Sequence, residues 1–65
     1  MYCTLSSPVL RGMTYEGTTL AIQFDKYRKA YYDVPQDIGY GLCYSKMPLS
    51  YFNKNIRNKF KNEKL

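Results

Sequence analysis

A chain of 65 residues forms one domain at most, and a domain of this size buries only about 60% of the surface that its unfolded form exposes. Apolar residues make up 45% of the sequence and aromatic residues 17%, which exceeds what a disordered basic tail would carry and indicates a folded domain. No apolar run reaches the roughly 20 residues that cross a bilayer, and no basic segment followed by an apolar one opens the chain. We therefore expect a soluble, cytoplasmic protein with no membrane partner.

The net charge of +5 is concentrated in the last third of the chain. Residues 1–45 hold four basic and four acidic side chains, whereas residues 46–65 hold six basic and one acidic. A localised positive surface attracts phosphates, carboxylates or anionic membranes. This segment is therefore the first place to look for a binding site.

The residues that usually carry catalysis or bind metals are scarce. The sequence has no histidine, and the remaining groups form no recognisable triad, carboxylate pair or phosphate-binding glycine loop, so we expect neither an enzyme nor a cofactor. Asp33 and Asp37 are close enough in sequence to share a metal, although turn and helix-start roles suit them better. Cys3 and Cys43 lack the spacing of a zinc site, and we expect two reduced structural thiols, with a single bridge or a reactive thiol as the alternative.

The first half of the chain has the pattern of antiparallel strands. Residues 9–15 and 18–24 predict a hairpin with a turn at Glu16 and Gly17, because Leu20, Ile22 and Phe24 alternate with polar or small residues. A tight turn at residues 25–26 leads to a third strand over residues 27–33. The inward face of this strand is ambiguous, since aromatic residues fall on both sides.

Two helices are predicted after the strands. Pro35 suits the first position of a helix with Asp37 in its first turn, and Ile38 and Leu42 follow at helical spacing. The glycines at positions 39 and 41 weaken this helix by up to about 1 kcal/mol each, which indicates close packing against the sheet or a loosely held element.

The second helix follows a break at Met47 and Pro48 and has the clearest pattern in the chain. Its apolar stripe comprises Leu49, Phe52, Ile56 and Phe60. The same winding aligns a basic row on the opposite side, composed of Ser50, Lys54, Arg57 and Lys61. The predicted fold is α+β, a small antiparallel three-stranded β-meander packed with two C-terminal helices, with its core in residues 9–60 and peripheral ends at residues 1–7 and 62–65.

Several short motifs follow one another along the chain: residues 19–24 (TLAIQF), residues 31–35 (YYDVP), Tyr40, Leu42 and residues 51–57 (YFNKNIR), closing at Phe60. In their order and spacing they resemble the KTSC domain, found at the C-terminus of some lysyl-tRNA synthetases and as free-standing bacterial and phage proteins. The sequence departs from the family at two motifs. The family's Tyr-x-Tyr falls on Lys29-Ala30-Tyr31, where a lysine replaces one tyrosine, and its Ser-x-Gly falls on Met47-Pro48-Leu49. The resemblance implies the fold, and its synthetase context suggests RNA binding.

Residues and resemblance together predict a non-catalytic module that binds nucleotide phosphates. Arginine grips a phosphate bidentately and lysine adds charge at longer reach, and tyrosines beside such cations can stack on bases. We expect ligand contacts from Lys54, Arg57, Lys61, Tyr51, Tyr31, Lys29, Arg28 and Asn53. Tyr27, Tyr32, Tyr40 and Tyr44 are further stacking candidates, although most of the tyrosines should fill the core.

The ligand class stays open between an RNA segment and a small or cyclic nucleotide that a phage-type protein would sequester at a homo-oligomer interface. A different class of function is a protein-interaction module or small inhibitor that docks on an acidic partner protein, since tyrosine and arginine are common in binding hot spots. A further alternative is that the basic row is a solvated helix face that keeps the domain soluble and binds no ligand.

Overall fold

The computed structural model describes all 65 residues and contains one five-stranded sheet and two helices. The elements in chain order are β1 (Tyr2–Thr4), β2 (Leu10–Glu16), β3 (Thr19–Phe24), β4 (Arg28–Tyr31), α1 (Gln36–Tyr44), α2 (Pro48–Asn55) and β5 (Asn62–Lys64).

The sheet is antiparallel throughout, and its spatial order is the order of the strands in the chain. Gly17 has a φ of 62° in the tight turn between β2 and β3, a conformation that glycine adopts without steric cost. The next turn is closed by a hydrogen bond of 2.8 Å from the Phe24 amide to the Tyr27 carbonyl. The predicted hairpin and third strand are therefore confirmed to within a few residues at their ends.

Both helices cover the same face of the sheet, and the core lies between the helices and this face. The buried cluster consists of Leu5, Leu10, Met13, Tyr15, Leu20, Ile22, Phe24, Tyr31, Val34, Leu42, Phe52 and Ile56. The register settles which face of β4 points inward, because Tyr31 pairs with the fully buried Leu20. Lys29 and Tyr31 therefore share the helix side of β4, while Arg28 and Ala30 lie on the uncovered side.

Helix α1 packs tightly because its glycines let tyrosine side chains of neighbouring elements approach its backbone. Asp37 lies in its first turn as predicted, whereas Pro35 is the residue before the helix rather than its first residue. A Cβ on Gly39 would lie 2.7 Å from the Tyr15 ring, and a Cβ on Gly41 would collide with the Tyr51 hydroxyl. The glycines thus mark close packing against β2 and α2, the first of the two predicted explanations.

Helix α2 is shorter than the pattern predicted. It ends at Asn55 with Ile56 as its C-cap, and the Phe52 carbonyl accepts hydrogen bonds from the amides of both Ile56 and Arg57. Asn58 has a φ of 61°, a left-handed conformation that an α-helix cannot contain and that asparagine tolerates better than most residues. The prediction that the helix continues to Phe60 was therefore wrong.

The ends of the chain form the two edge strands of the sheet. β1 pairs with β2, and β5 pairs with β4, which places Lys64 opposite Lys29. The three-stranded meander was therefore an underestimate, although the α+β class is confirmed. Residues 62–64, expected at the periphery, form an edge strand because β4 offers them a free row of hydrogen-bonding groups.

A disulfide between Cys3 and Cys43 joins β1 to the last turn of α1. The expectation of two reduced thiols was wrong, and the alternative of a single bridge is the one found. The register explains it: Cys3 pairs with the buried Met13, so it faces the helices, and its Cα lies 5.8 Å from that of Cys43.

Candidate functional site

A cleft of 380 Å³ opens between strands β3 and β4 and the end of helix α2. Its polar lining consists of Lys29, Tyr31, Asn53, Arg57, Asn58 and Asn62, and its apolar lining includes Phe24, Tyr27, Leu49 and Phe52. We call this site the basic cleft. It brings together four of the predicted ligand-binding residues, which are Lys29, Tyr31, Asn53 and Arg57.

The two cations of the basic cleft have no acidic partner. The only ion pairs in the structure join the N-terminus to Glu16 and Arg11 to Asp25, and no Asp or Glu lines the cleft. Lys29 places its ammonium 5.9 Å from the centre of the Tyr31 ring, above the inner wall of the site. Two unpaired positive charges in one concave site attract an anion more strongly than the same charges spread over a flat surface.

The Tyr31 hydroxyl is a polar group without a partner on an otherwise buried side chain. Tyr31 is 2% exposed and packs edge-on against Phe52, with ring centres 5.9 Å apart. The hydroxyls of Tyr15, Tyr32 and Tyr51 each donate a hydrogen bond within the chain, whereas that of Tyr31 donates none. No buried side-chain oxygen in the structure lacks a hydrogen-bond partner, so the unpartnered Tyr31 hydroxyl must reach solvent, where a molecule in the cleft can accept its hydrogen bond.

The surroundings of Tyr31 favour the protonated form of its hydroxyl, which can donate a hydrogen bond. Burial raises the pKa of Tyr31 above its usual value of 10.0; the neighbouring Tyr27 raises this pKa further, and the charge of Arg57 partly opposes the shift. The hydroxyl therefore carries its proton at neutral pH and can donate to an anion. Together, the ammonium, guanidinium and hydroxyl make the cleft a donor-rich site.

The remaining predicted residues lie elsewhere. Because α2 ends at Asn55, the predicted basic row does not form: Lys54 lies beside Tyr51 and Ser50 at a second hollow, Arg57 lines the basic cleft, and Lys61 precedes β5. The expectation that Arg57 faces away from Phe52 was wrong, since both line the same cleft. The Tyr51 hydroxyl donates to the Ile38 carbonyl at 3.0 Å, which gives this side chain a structural role between the helices.

Arg28 contributes to a different surface. It lies on the uncovered face of the sheet, at a hollow of 240 Å³ whose lining also includes Tyr2, Gly12 and Ala21. The nearest atom to a Cβ on Gly12 would be the Tyr2 hydroxyl oxygen at 3.2 Å, so the tyrosine lies across the glycine. Arg28 and Lys29 are adjacent in sequence but serve opposite faces.

Sequence reasoning missed part of the cleft wall. Asn62 lines the cleft because β5 pairs with β4, and residues 62–65 carried no strand pattern that could have indicated this. Leu49 was assigned to the core stripe, yet it is 36% exposed at the cleft. Asn58 also lines the cleft, and the left-handed turn that it forms carried no clear signal in the sequence.

No cluster of metal-binding side chains and no membrane-spanning helix is found. Nowhere do three or more His, Cys, Asp or Glu side chains gather closely enough to hold a metal ion. Asp33 lies in a turn with a φ of 57°, and Asp37 lies in the first turn of α1. Neither helix is long and apolar enough to cross a membrane.

The fold and the cleft define a small α+β domain with a helix-covered antiparallel sheet and a basic site at the end of its second helix. Comparison with protein families finds that the KTSC domain model matches residues 6–60. The chain therefore belongs to the KTSC domain family, as its motifs indicated. A search of curated proteins found no match.

Proposed function

We propose that this protein is a non-catalytic module that binds a nucleotide ligand through its phosphates in the basic cleft. Arg57 and Lys29 supply the charge, Tyr31 supplies a hydroxyl donor, and Asn53 supplies a polar side chain at the rim. Lys54, Lys61 and Arg28 act at longer range, or on an extended ligand that leaves the cleft. One observation supports this proposal most: neither Arg57 nor Lys29 has an acidic partner, and their cleft also holds a hydroxyl without a partner in the chain.

Two classes of nucleotide ligand fit this chemistry, and the salt dependence of their affinity distinguishes them. An RNA segment contacts many phosphates, so its affinity falls steeply with salt through counterion release. A small or cyclic nucleotide held in the cleft depends less on salt and more on the shape of the site. Titration at two salt concentrations therefore assigns the ligand class within the proposal.

Charge-matched double variants test the site. Lys29→Ala/Arg57→Ala removes both cleft cations, and Lys46→Ala/Lys59→Ala removes two exposed lysines that lie outside every cavity, so both variants fall from +5 to +3. We expect the cleft variant to lose nucleotide binding and the control to retain it, as measured by calorimetric titration. Equal losses in the two variants would show that only net charge matters.

A third variant tests whether Lys54 and Lys61 contribute to nucleotide binding. Lys54→Ala/Lys61→Ala has the same net charge as the other two doubles. We expect a moderate loss that added salt abolishes, because these side chains lie outside the cleft and act through the screened field. A complete loss in this variant alone would move the site from the cleft to the second hollow.

The proposal includes a homo-oligomer in the cytoplasm, which is the host cytoplasm if the protein is phage-encoded. The sheet face opposite the helices is covered by no element of the chain, which supports association with a second copy. Native mass spectrometry measures the oligomer and identifies any nucleotide it carries. Because disulfides are rare in reducing compartments, a Cys3–Cys43 bond that persists in intact cells would contradict the proposed location.

A protein-interaction module is the second candidate, favoured by one observation. Tyr44 is the last residue of α1 and Met47 directly precedes α2, and they are 77% and 67% exposed. Exposed tyrosine and methionine are enriched at protein interfaces. A pull-down that survives nuclease treatment, from protein that carries no nucleotide, would favour this function.

A further inference from the structure

We infer that the basic cleft recognises a terminal phosphate, a phosphomonoester, and does not read the base. This inference rests on the proposed function and narrows it. It defines the ligand by a compact dianion that meets Lys29, Arg57 and the Tyr31 hydroxyl, whatever sugar or base is attached to it.

The first argument is that the aromatic rings of the cleft already have partners. The Tyr27 ring stacks on Phe24 with centres 4.9 Å apart, and the Lys64 ammonium lies over the same ring at 5.0 Å. The Tyr31 ring is buried against the edge of Phe52 and presents its hydroxyl to the cleft. Base recognition by stacking needs a free ring face, and neither tyrosine offers one without rearrangement.

The second argument is the balance of charge. Two cations without acidic partners line the cleft, and a third, Lys64, lies over the Tyr27 ring in its wall. A phosphomonoester carries about −1.5 to −2 at neutral pH and so neutralises more of this positive charge than a phosphodiester, which carries a single negative charge. The monoester also offers three terminal oxygens, enough to accept from an ammonium, a guanidinium and a hydroxyl at once.

Four small probes separate the groups of a nucleotide. Inorganic phosphate, ribose 5-phosphate and AMP share the terminal phosphate and differ in sugar and base, while dimethyl phosphate represents the diester. We expect the first three to shift the amide NMR signals of residues around the cleft, with dissociation constants within about threefold of one another. Dimethyl phosphate should bind about tenfold more weakly, since it forfeits one charge-assisted contact.

A single-atom change tests the hydroxyl. Tyr31→Phe removes a group that makes no hydrogen bond within the chain, so the folded state should be preserved while phosphate affinity falls about tenfold. Tyr40→Phe is the matched control, because the Tyr40 hydroxyl also lacks a partner but lies outside the cleft. Unchanged phosphate binding in a folded Tyr31→Phe protein would overturn the assignment of the hydroxyl.

The outcomes distinguish this inference from the proposed function. If AMP binds in the cleft and ribose 5-phosphate does not, the base is read and the inference fails while nucleotide binding stands. If dimethyl phosphate binds as tightly as inorganic phosphate, the monoester preference fails in the same way. If neither the phosphomonoesters nor single-stranded RNA perturbs the cleft, both proposals fall.

Discussion

At the scale of single residues, one aromatic side chain connects the core to the cleft. Phe52 is 6% exposed and meets Phe24 and Tyr31 edge-on, with ring centres 5.6 Å and 5.9 Å away. It also lines the basic cleft. The positions of the Tyr31 hydroxyl and of the Phe24–Tyr27 stack therefore depend on this ring.

Phe52→Ala should cost about 3–5 kcal/mol of unfolding free energy, because it removes a buried ring and leaves a cavity between two others. Urea unfolding followed by circular dichroism measures the loss. Tyr44→Ala, which removes a ring that is 77% exposed, is the control and should change stability by less than about 0.5 kcal/mol. A Phe52→Ala protein as stable as this control would contradict the packing described.

At the scale of elements, the sequence predicted those with strong periodicity and missed those that depend on their neighbours. The β2–β3 hairpin and the start of α2 follow from alternation and from Pro48. β1 and β5 are short strands that exist because β2 and β4 offer unpaired edges, and a pattern of three residues cannot indicate that. The end of α2 was missed because one left-handed residue, Asn58, outweighs an apolar stripe that continues in sequence to Phe60.

The candidate site shows the same division. Arg57, Lys29, Tyr31 and Asn53 were predicted from residue type and resemblance, and the structure groups them in one cleft. The predicted helical row failed because Arg57 and Lys61 lie beyond the end of α2. Charge and residue type could therefore be predicted from sequence, whereas the partition of the basic residues among separate surfaces depends on where the helix ends.

The disulfide gives an element-scale prediction, since it joins β1 to α1 across a sequence separation of 40 residues. Cys3→Ser/Cys43→Ser should lower the unfolding free energy by about 2–4 kcal/mol, chiefly because the unfolded chain regains freedom. Thermal unfolding of the oxidised protein, with and without reductant, measures the effect, and reduction should match the double variant. A midpoint that reductant leaves unchanged would contradict a stabilising bond.

At the scale of the whole molecule, the two faces of the sheet carry different chemistry. The helix side holds the core and, at its end, the basic cleft, while the uncovered side carries small residues flanked by Tyr2 and Arg28. The acidic side chains of the two ion pairs, Glu16 and Asp25, lie outside the cleft lining. The charged side chains that line the cleft are therefore all cationic, while other basic residues lie on separate surfaces.

The tyrosines predict how the stability of the whole fold depends on alkaline pH. Burial raises the pKa of Tyr31 and of Tyr51 above 10.0 in the folded protein. Above pH 10 the unfolded chain therefore loses these protons before the folded one does, so their contribution to stability is complete below pH 10 and falls as the pH rises through the folded values. Urea midpoints between pH 8 and 11 should show this fall, and Tyr31→Phe should reduce it; an equally steep fall in Tyr31→Phe would contradict the assigned burial.

The order of the strands also decides how the protein should be handled in binding experiments. The two chain ends lie at opposite edges of the sheet, and the C-terminal strand β5 contributes Asn62 to the cleft and Lys64 to the Tyr27 ring. An affinity tag or surface tether attached after Leu65 would crowd the ligand's entrance, whereas one attached before Met1 lies at the far edge. Immobilisation through the N-terminus is therefore the orientation in which a sensor chip presents the cleft to solution.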